Sequence, residues 1–183
     1  LSPPLVDVHV VNGRKDRSNC NAAEAEAIVD EVARIVAEPK MADRTIGIIS
    51  LSGAKQAQRI QTMLLERIGE DTYIRHEIAC GDSAAFQGKE RDIVLLSMVE
   101  CPETCTSKTS LPLKQRFNVA LSRARDREYL FHSVTEKMLK PDDLKAKVLR
   151  HFKNPMEGKA PPAGDLMALC QSGFERDVLA RLL

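Results

Sequence analysis

The chain has 183 residues, 43% of them hydrophobic and 29% charged, and its 27 Lys and Arg against 26 Asp and Glu leave a net charge of +1. That is the length of one ordinary globular domain, and the near balance removes the overall basic excess by which a nucleic-acid-binding domain is usually identified, although a local basic face stays possible. No segment approaches the roughly 20 apolar residues that span a bilayer, and residues 1–11 lack the charged and apolar regions of a signal peptide, so a soluble, cytoplasmic protein with no membrane partner is expected.

Residues 5–11 (LVDVHVV) are short, apolar at nearly every position and rich in β-branched side chains, which predicts a strand buried on both faces. After a polar loop, Asn21 followed three residues on by Glu24 forms a capping box, and Ile28, Val32, Ile35 and Val36 are the apolar stripe of the helix it opens, which Pro39 ends. Residues 45–50 (TIGIIS) predict a second buried strand. Gly53 then leads into a helix in which Ala57, Ile60, Met63, Leu64 and Ile68 keep the 3.6-residue period. Strands over 77–80, 93–99 and 128–132 and a helix over 113–123 continue the alternation. Strands alternating with helices give a parallel sheet with right-handed crossovers, so the fold class is α/β in three layers. The absence of Trp and an aromatic content of 4% suit such an aliphatic core and disfavour an aromatic platform for single strands.

Beyond Pro141 the pattern changes. Leu144, Val148, Leu149 and Phe152 mark one more helix, and residues 154–164 (NPMEGKAPPAG) are too rich in Pro and Gly for regular structure. The expected organisation is therefore a domain over 1–153, a linker over 154–164 and the start of a further domain over 165–183. Ser172 and Glu175 cap a helix there whose Phe174, Val178 and Leu182 have little to bury against, as in a fragment of a longer polypeptide.

Ligands of open α/β sheets bind outside the carboxyl ends of the strands, which directs attention to the polar segments between elements. Residues 81–92 (GDSAAFQGKERD) gather Asp82, Gln87, Lys89, Glu90, Arg91 and Asp92 around Gly88. In residues 115–127 (QRFNVALSRARDR), Arg116 and Arg123 lie seven apart, two helical turns, so a helix running through both points them the same way. Two guanidinium groups there suit an anion, phosphate above all, by bidentate charge-assisted hydrogen bonds. The plainer reading, solvated salt-bridge surface contributing about 0 to 1 kcal/mol per pair, stands beside it. Five scattered cysteines, an odd number, read as reduced thiols. Cys101 and Cys105 have no nearby His and do not make the four-ligand set of a zinc site, so no metal is expected on this chain. His9, His76, His132 and His151 accompany no nucleophile motif.

In combination, GDSAAFQGKERDIVLLSMV followed by QRFNVALSRARD resembles motifs V and VI of superfamily 1 helicases of the Upf-like branch, and TIGIISLSGAKQAQRIQ stands where that family carries motif IV. The ordered motifs cover roughly residues 8–132. The resemblance is strongest to large prokaryotic helicase proteins that continue into a Vsr-like, PD-(D/E)XK nuclease-like domain, whose first helix SGFERDVLARLL is similar to. Such helicases have two RecA-like lobes with ATP between them, and this chain resembles the second lobe alone. It contains no G-x-x-x-x-G-K-[ST] loop and no Mg-holding acidic pair after a strand, so the resemblance implies that ATP and Mg are held mainly by a first lobe of the same polypeptide and that the isolated chain is inactive. It also implies that Arg123 is the arginine finger, that Glu90 contacts the nucleotide sugar, and that Gln87 and Gly88 shape the turn beside it. Arg125 and Asp126 are expected to fix the helix end. Leu51 and Ser52 replace the Pro and the adenine-stacking aromatic common in motif IV, leaving Gln56 or Arg59 as a polar substitute. Ser50 and Ser83 are the candidates for contacting single-stranded nucleic acid, DNA rather than RNA. A degenerate RecA-like scaffolding module and a protein whose main activity is a downstream nuclease are the alternatives from other classes.

Overall fold

A computed structural model describes residues 1–105 and 110–154 of the chain, and these lie, up to Lys153, in a single unit. The expected linker, apart from Asn154, and the expected helix opened by Ser172 lie outside the described residues. Five strands, β1 (Leu5–His9), β2 (Ile46–Ser50), β3 (Ala79–Asp82), β4 (Arg91–Ser97) and β5 (Ala124–His132), form one sheet in the order β1-β5-β4-β2-β3, every pairing parallel. The helices are α1 (Ala22–Ala37), α2 (Ala54–Ile68), α3 (Glu70–Arg75), α4 (Leu111–Ala120) and α5 (Leu144–Lys153).

The layers follow from strand alternation. Ile93 and Leu95 of β4 face one side, where they meet Ile48, Phe131 and the stripe Ile28, Val32, Ile35, Ile60 and Leu64 of α1 and α2. Val94 and Leu96 face the other, against Ile49, Leu130 and the α4 and α5 residues Phe117, Ala120, Val148, Leu149 and Phe152. The chain steps outward from β1 to β2 to β3 with α1 and α2 on one face and returns through β4 to β5 with α4 on the other, as crossovers of one hand require. This three-layer α/β arrangement is RecA-like.

Several boundaries differ from the sequence reading. β1 is half-buried because it is an edge strand with one neighbour, so its apolar run is not the double-sided burial expected. β3 begins at Ala79, because Glu77 adopts φ 43 as the chain leaves α3, an unexpected helix. The largest difference is at α4, which ends at Ala120. Leu121 caps it, the chain turns, and β5 starts at Ala124 paired with Arg91, so Arg123 and the charged residues after it leave the helix for the sheet.

Candidate functional site

β2 and β4 are neighbours whose outgoing connections run to opposite faces, a topological switch point beyond whose carboxyl ends a ligand crevice is expected. Ser50 and Ser97 end the two strands. Ser50 is buried and its hydroxyl accepts from the Ser52 N–H (3.3 Å). Gln56, expected as a polar substitute for the aromatic residue, is turned inward. It is 1% exposed, its Oε1 accepts from the Asn21 N–H (2.9 Å), and its Nε2 donates to the Asn21 carbonyl (2.9 Å) and to Ser97 Oγ (3.2 Å), so its amide is spent tying α2 to the start of α1. Arg59, the other polar substitute considered, is exposed and paired with Asp16 (2.8 Å).

Against the end of β4 sits Glu24, to which the capping box assigns only a place at a helix start. Asn21 does cap α1, its side chain accepting from the Glu24 N–H (3.2 Å), but the Glu24 carboxylate turns inward instead of closing the box. It is 0% exposed and accepts from Ser97 Oγ (2.8 Å), Val99 N–H (2.7 Å), Ser133 Oγ (2.9 Å) and Asn21 Nδ2 (3.1 Å). Burial pushes its carboxyl up to about 7, against the opposing hydrogen bonds from Val99, Ser97 and Ser133. Val99, a β-branched residue, is held at φ 69, a sparsely populated conformation that costs of order 1–3 kcal/mol. Two serines at strand ends, Ser97 closing β4 and Ser133 directly after β5, were the available signal for such a centre.

The segment between β3 and β4 forms the second part of the site. Phe86 is buried and anchors it; Gly47 lies so close that a Cβ there would meet the Phe86 ring at 2.9 Å, and a Cβ on Gly81 would meet Ala85 Cβ at 2.6 Å. Gly88 takes φ 74 at an open turn. Across from this segment, the exposed side of α4 completes a cavity of about 440 Å³ lined by Ser83, Gln87, Pro112, Gln115, Arg116 and Val119 among others. Ser83, Gln87 and Arg116 are thereby brought together.

Glu90 and Arg123 lie elsewhere, at the amino ends of β4 and β5. The Arg91 N–H donates to the Arg123 carbonyl (2.9 Å), which sets the two side by side in sequence register. Because α4 stops early, Arg123 does not share a helical face with Arg116. Its guanidinium folds onto the end of α4, donating to the Val119 carbonyl (3.0 Å) and to Ser122 Oγ (2.7 Å), where the helix dipole favours a cation. Among the described residues no carboxylate pairs with it. Arg125 and Asp126 are strand residues, not the helix-end clamps expected: Arg125 meets Glu90 (3.1 Å) and Asp92 (3.9 Å), and Asp126 meets Arg44. Burial raises the Asp92 carboxyl, but hydrogen bonds from the Thr45 N–H (2.8 Å) and hydroxyl (2.9 Å), with Arg44 and Arg125 nearby, outweigh it and hold the group below its usual range. Among the described residues no three His, Cys, Asp or Glu side chains are placed to hold a metal ion, and no helix is long and apolar enough to cross a membrane.

Residues 5–133 match the family described as AAA domain. The ATP-dependent helicase NAM7 of Saccharomyces cerevisiae is 31% identical to the chain over 115 residues, which is 62% of this chain and 11% of that protein, so the chain spans only a small part of the relative's length.

Proposed function

The chain belongs to the AAA domain family, and from that membership we propose that it is the second RecA-like lobe of an ATP-dependent helicase of the Upf-like superfamily 1 branch, acting on single-stranded nucleic acid, DNA rather than RNA, in the cytoplasm. The similarity to a yeast ATP-dependent helicase supports the reading. Residues 1–153 would be the lobe, 154–164 a linker and 165–183 the start of a nuclease-like domain, in a protein of the prokaryotic type named above. The single observation that carries the proposal is the amino edge of the sheet. There Arg123, a half-buried guanidinium with no carboxylate partner among the described residues, stands next in register to the exposed Glu90.

This donor set fits one side of a nucleotide. A guanidinium suits the developing charge of a transferring phosphoryl group, and a carboxylate suits the hydroxyls of a sugar. It does not fit the whole of ATP with Mg, since the chain has neither a phosphate-cradling glycine loop nor a cluster of metal-holding acids among the described residues. Those parts are assigned to the first lobe, and the isolated chain is proposed to be inactive. Closure of the two lobes would bring Arg123 to the γ-phosphate, and reopening after hydrolysis would move the protein along its strand. Gln87, Gly88 and Arg116 are assigned to the nucleotide side and Ser50 and Ser83 to the strand; the cavity that Ser83, Gln87 and Arg116 line together supports a shared role for these three, apart from Glu90 and Arg123. Since Gln56 is engaged internally and Ser52 offers no ring, adenine recognition by this lobe is loose.

Glu90 provides the test. Its carboxylate is exposed and, among the described residues, held only by Arg125, so Glu90→Gln leaves the fold intact. In a polypeptide carrying both lobes the substitution is expected to raise KM for ATP about tenfold, the loss of one charge-assisted hydrogen bond, with kcat within about twofold. A KM equal to that of the unaltered protein contradicts the sugar contact.

A further inference from the structure

β1 and β5 form a second pair of adjacent strands whose connections leave toward opposite faces, β1 to α1 and β5 to α5. A crevice is expected beyond their carboxyl ends on the same topological ground as between β2 and β4, and a cavity of about 200 Å³ lies there, lined by residues that include Val11, Asn12, Arg14, Ser133, Thr135 and Met138. That volume is below the roughly 300–1,000 Å³ of sites for whole drug-sized ligands, so it holds one ring-sized group and not a complete nucleotide.

The chemistry of the lining selects the group. Val11 is 68% exposed and Met138 53%, two of the few large hydrophobic side chains that the described residues leave open to water. Both border this one cavity, whereas the remaining wall offers the amide of Asn12, the hydroxyl of Thr135 and the ring of His9, which lies 5.2 Å from the His132 ring. Apolar walls with polar groups around them match a flat heterocycle that is apolar on its faces and hydrogen-bonding at its edges. A bare phosphate fits less well, because Glu103 also lines the cavity and is only 3.8 Å from Arg14, the guanidinium in its lining.

The cavity is built into the fold. Gly13 presses so closely on its floor that a Cβ there would lie 2.0 Å from Ser133 Oγ, Asn12 beside it takes φ 61, and Ser133 Oγ is fixed by its hydrogen bond to buried Glu24 (2.9 Å). His132 is held in turn by Asp7 (2.9 Å) and the Val134 carbonyl (2.6 Å).

We propose that this cavity receives one base of the single strand, held between Val11 and Met138, and so supplies the base contact that an aromatic-poor chain does not make by stacking. The inference rests on the helicase reading and extends it to a site outside the motif segments. Base contacts of this kind are sequence-tolerant and independent of the phosphate charges.

The experiment pairs a protein change with a ligand change. In the polypeptide carrying both lobes, fluorescein-labelled oligothymidylate binding is measured by anisotropy with intact strands and with strands bearing a single abasic position moved along the chain. For the unaltered protein, an abasic residue at one particular position is expected to weaken binding about tenfold. The double variant Val11→Ser, Met138→Ser, whose side chains are solvent-exposed and whose loss leaves the core intact, is expected to bind the intact strand about tenfold more weakly and to show no further loss at that position. A variant that binds the intact strand normally, or that keeps the same abasic sensitivity, overturns the proposal while leaving the helicase reading in place. An unaltered two-lobed protein that binds no single strand at all overturns the reading itself.

Discussion

Replacing Arg123 with alanine in a polypeptide that carries both lobes is expected to lower ATP turnover by about 10³-fold or more, the range in which arginine fingers act on phosphoryl transfer. The size of the effect comes from where the charge sits. Phosphoryl transfer spreads negative charge over the equatorial oxygens, and a guanidinium delivered by lobe closure stabilises that distribution without reorganising water. The fold should hardly notice. Among the described residues Arg123 donates only to the Val119 carbonyl and to Ser122 Oγ, so its removal costs the end of α4 about 0.3–1 kcal/mol of dipole interaction. Arg123→Lys keeps the charge but loses the forked geometry, and it should recover only a small part of the rate. Steady-state turnover, measured beside thermal unfolding, separates the two effects. Turnover within a few-fold of the unaltered protein, at unchanged stability, contradicts the assignment of Arg123.

The second large effect is on stability and its pH dependence. Glu128 lies in the middle of β5, level with Leu5 and Val94, on the sheet face that carries Leu130 and Ala124 beneath α4 and α5. It is 4% exposed and its Oε1 has no hydrogen-bond partner among the described residues, so burial pushes its carboxyl up to about 8 from an ordinary 4.5. A carboxyl raised by folding favours the folded state below its unfolded pKa and loses that contribution as pH climbs to the folded one. In the window from about 4.5 to about 8 the unfolded chain ionises while the folded chain keeps its proton, and stability falls by about 5 kcal/mol in all. Glu24, raised to about 7, adds a loss of the same sign that ends nearer neutrality. Glu128→Leu removes the first contribution. Chemical denaturation is therefore expected to show the variant several kcal/mol more stable than the unaltered chain at pH 8.5 and little different at pH 4.5. An equal difference at both pH values would show that Glu128 does not carry the titration. Glu24 differs in kind, because its four hydrogen bonds make Glu24→Ala destabilising by about 3 kcal/mol or more even where Glu128→Leu stabilises.

The three-layer fold was legible because it depends on local periodicity: runs such as residues 93–97 alternate two faces of one strand, and Ile28, Val32 and Ile35 repeat at helical spacing. What failed was where pairing overrides pattern. Residues 121–127 read as helix and loop, yet β5 begins at Ala124 because β4 offers it a partner at Arg91. The same cause moved Arg123 off the face it was expected to share with Arg116, and Arg125 and Asp126 into the sheet. The edge position of β1 could not be seen in LVDVHVV either, since an apolar run says that a strand is half-sheltered but not how many neighbours shelter it. The partners of Gln56 and Glu24 were illegible for a different reason. They lie 35 to 109 residues away in sequence, Asn21 for one and Ser97, Val99 and Ser133 for the other, and a capping box specifies where a helix starts without saying which way its acid turns. Ser83, Gln87 and Arg116 came from motif resemblance, and their meeting around one cavity depends on α4 crossing beside the β3–β4 segment.

The central claim is that this lobe completes, and does not by itself contain, an ATP-hydrolysing site driven by single-stranded nucleic acid. Phosphate release should be measured for the 183-residue chain alone and for the same chain joined to its first lobe, each with and without oligothymidylate. The expected result is no hydrolysis by the chain alone and hydrolysis by the joined polypeptide that rises when the strand is added. Hydrolysis by the chain alone at the joined rate, or a joined polypeptide whose rate ignores the strand, would contradict it.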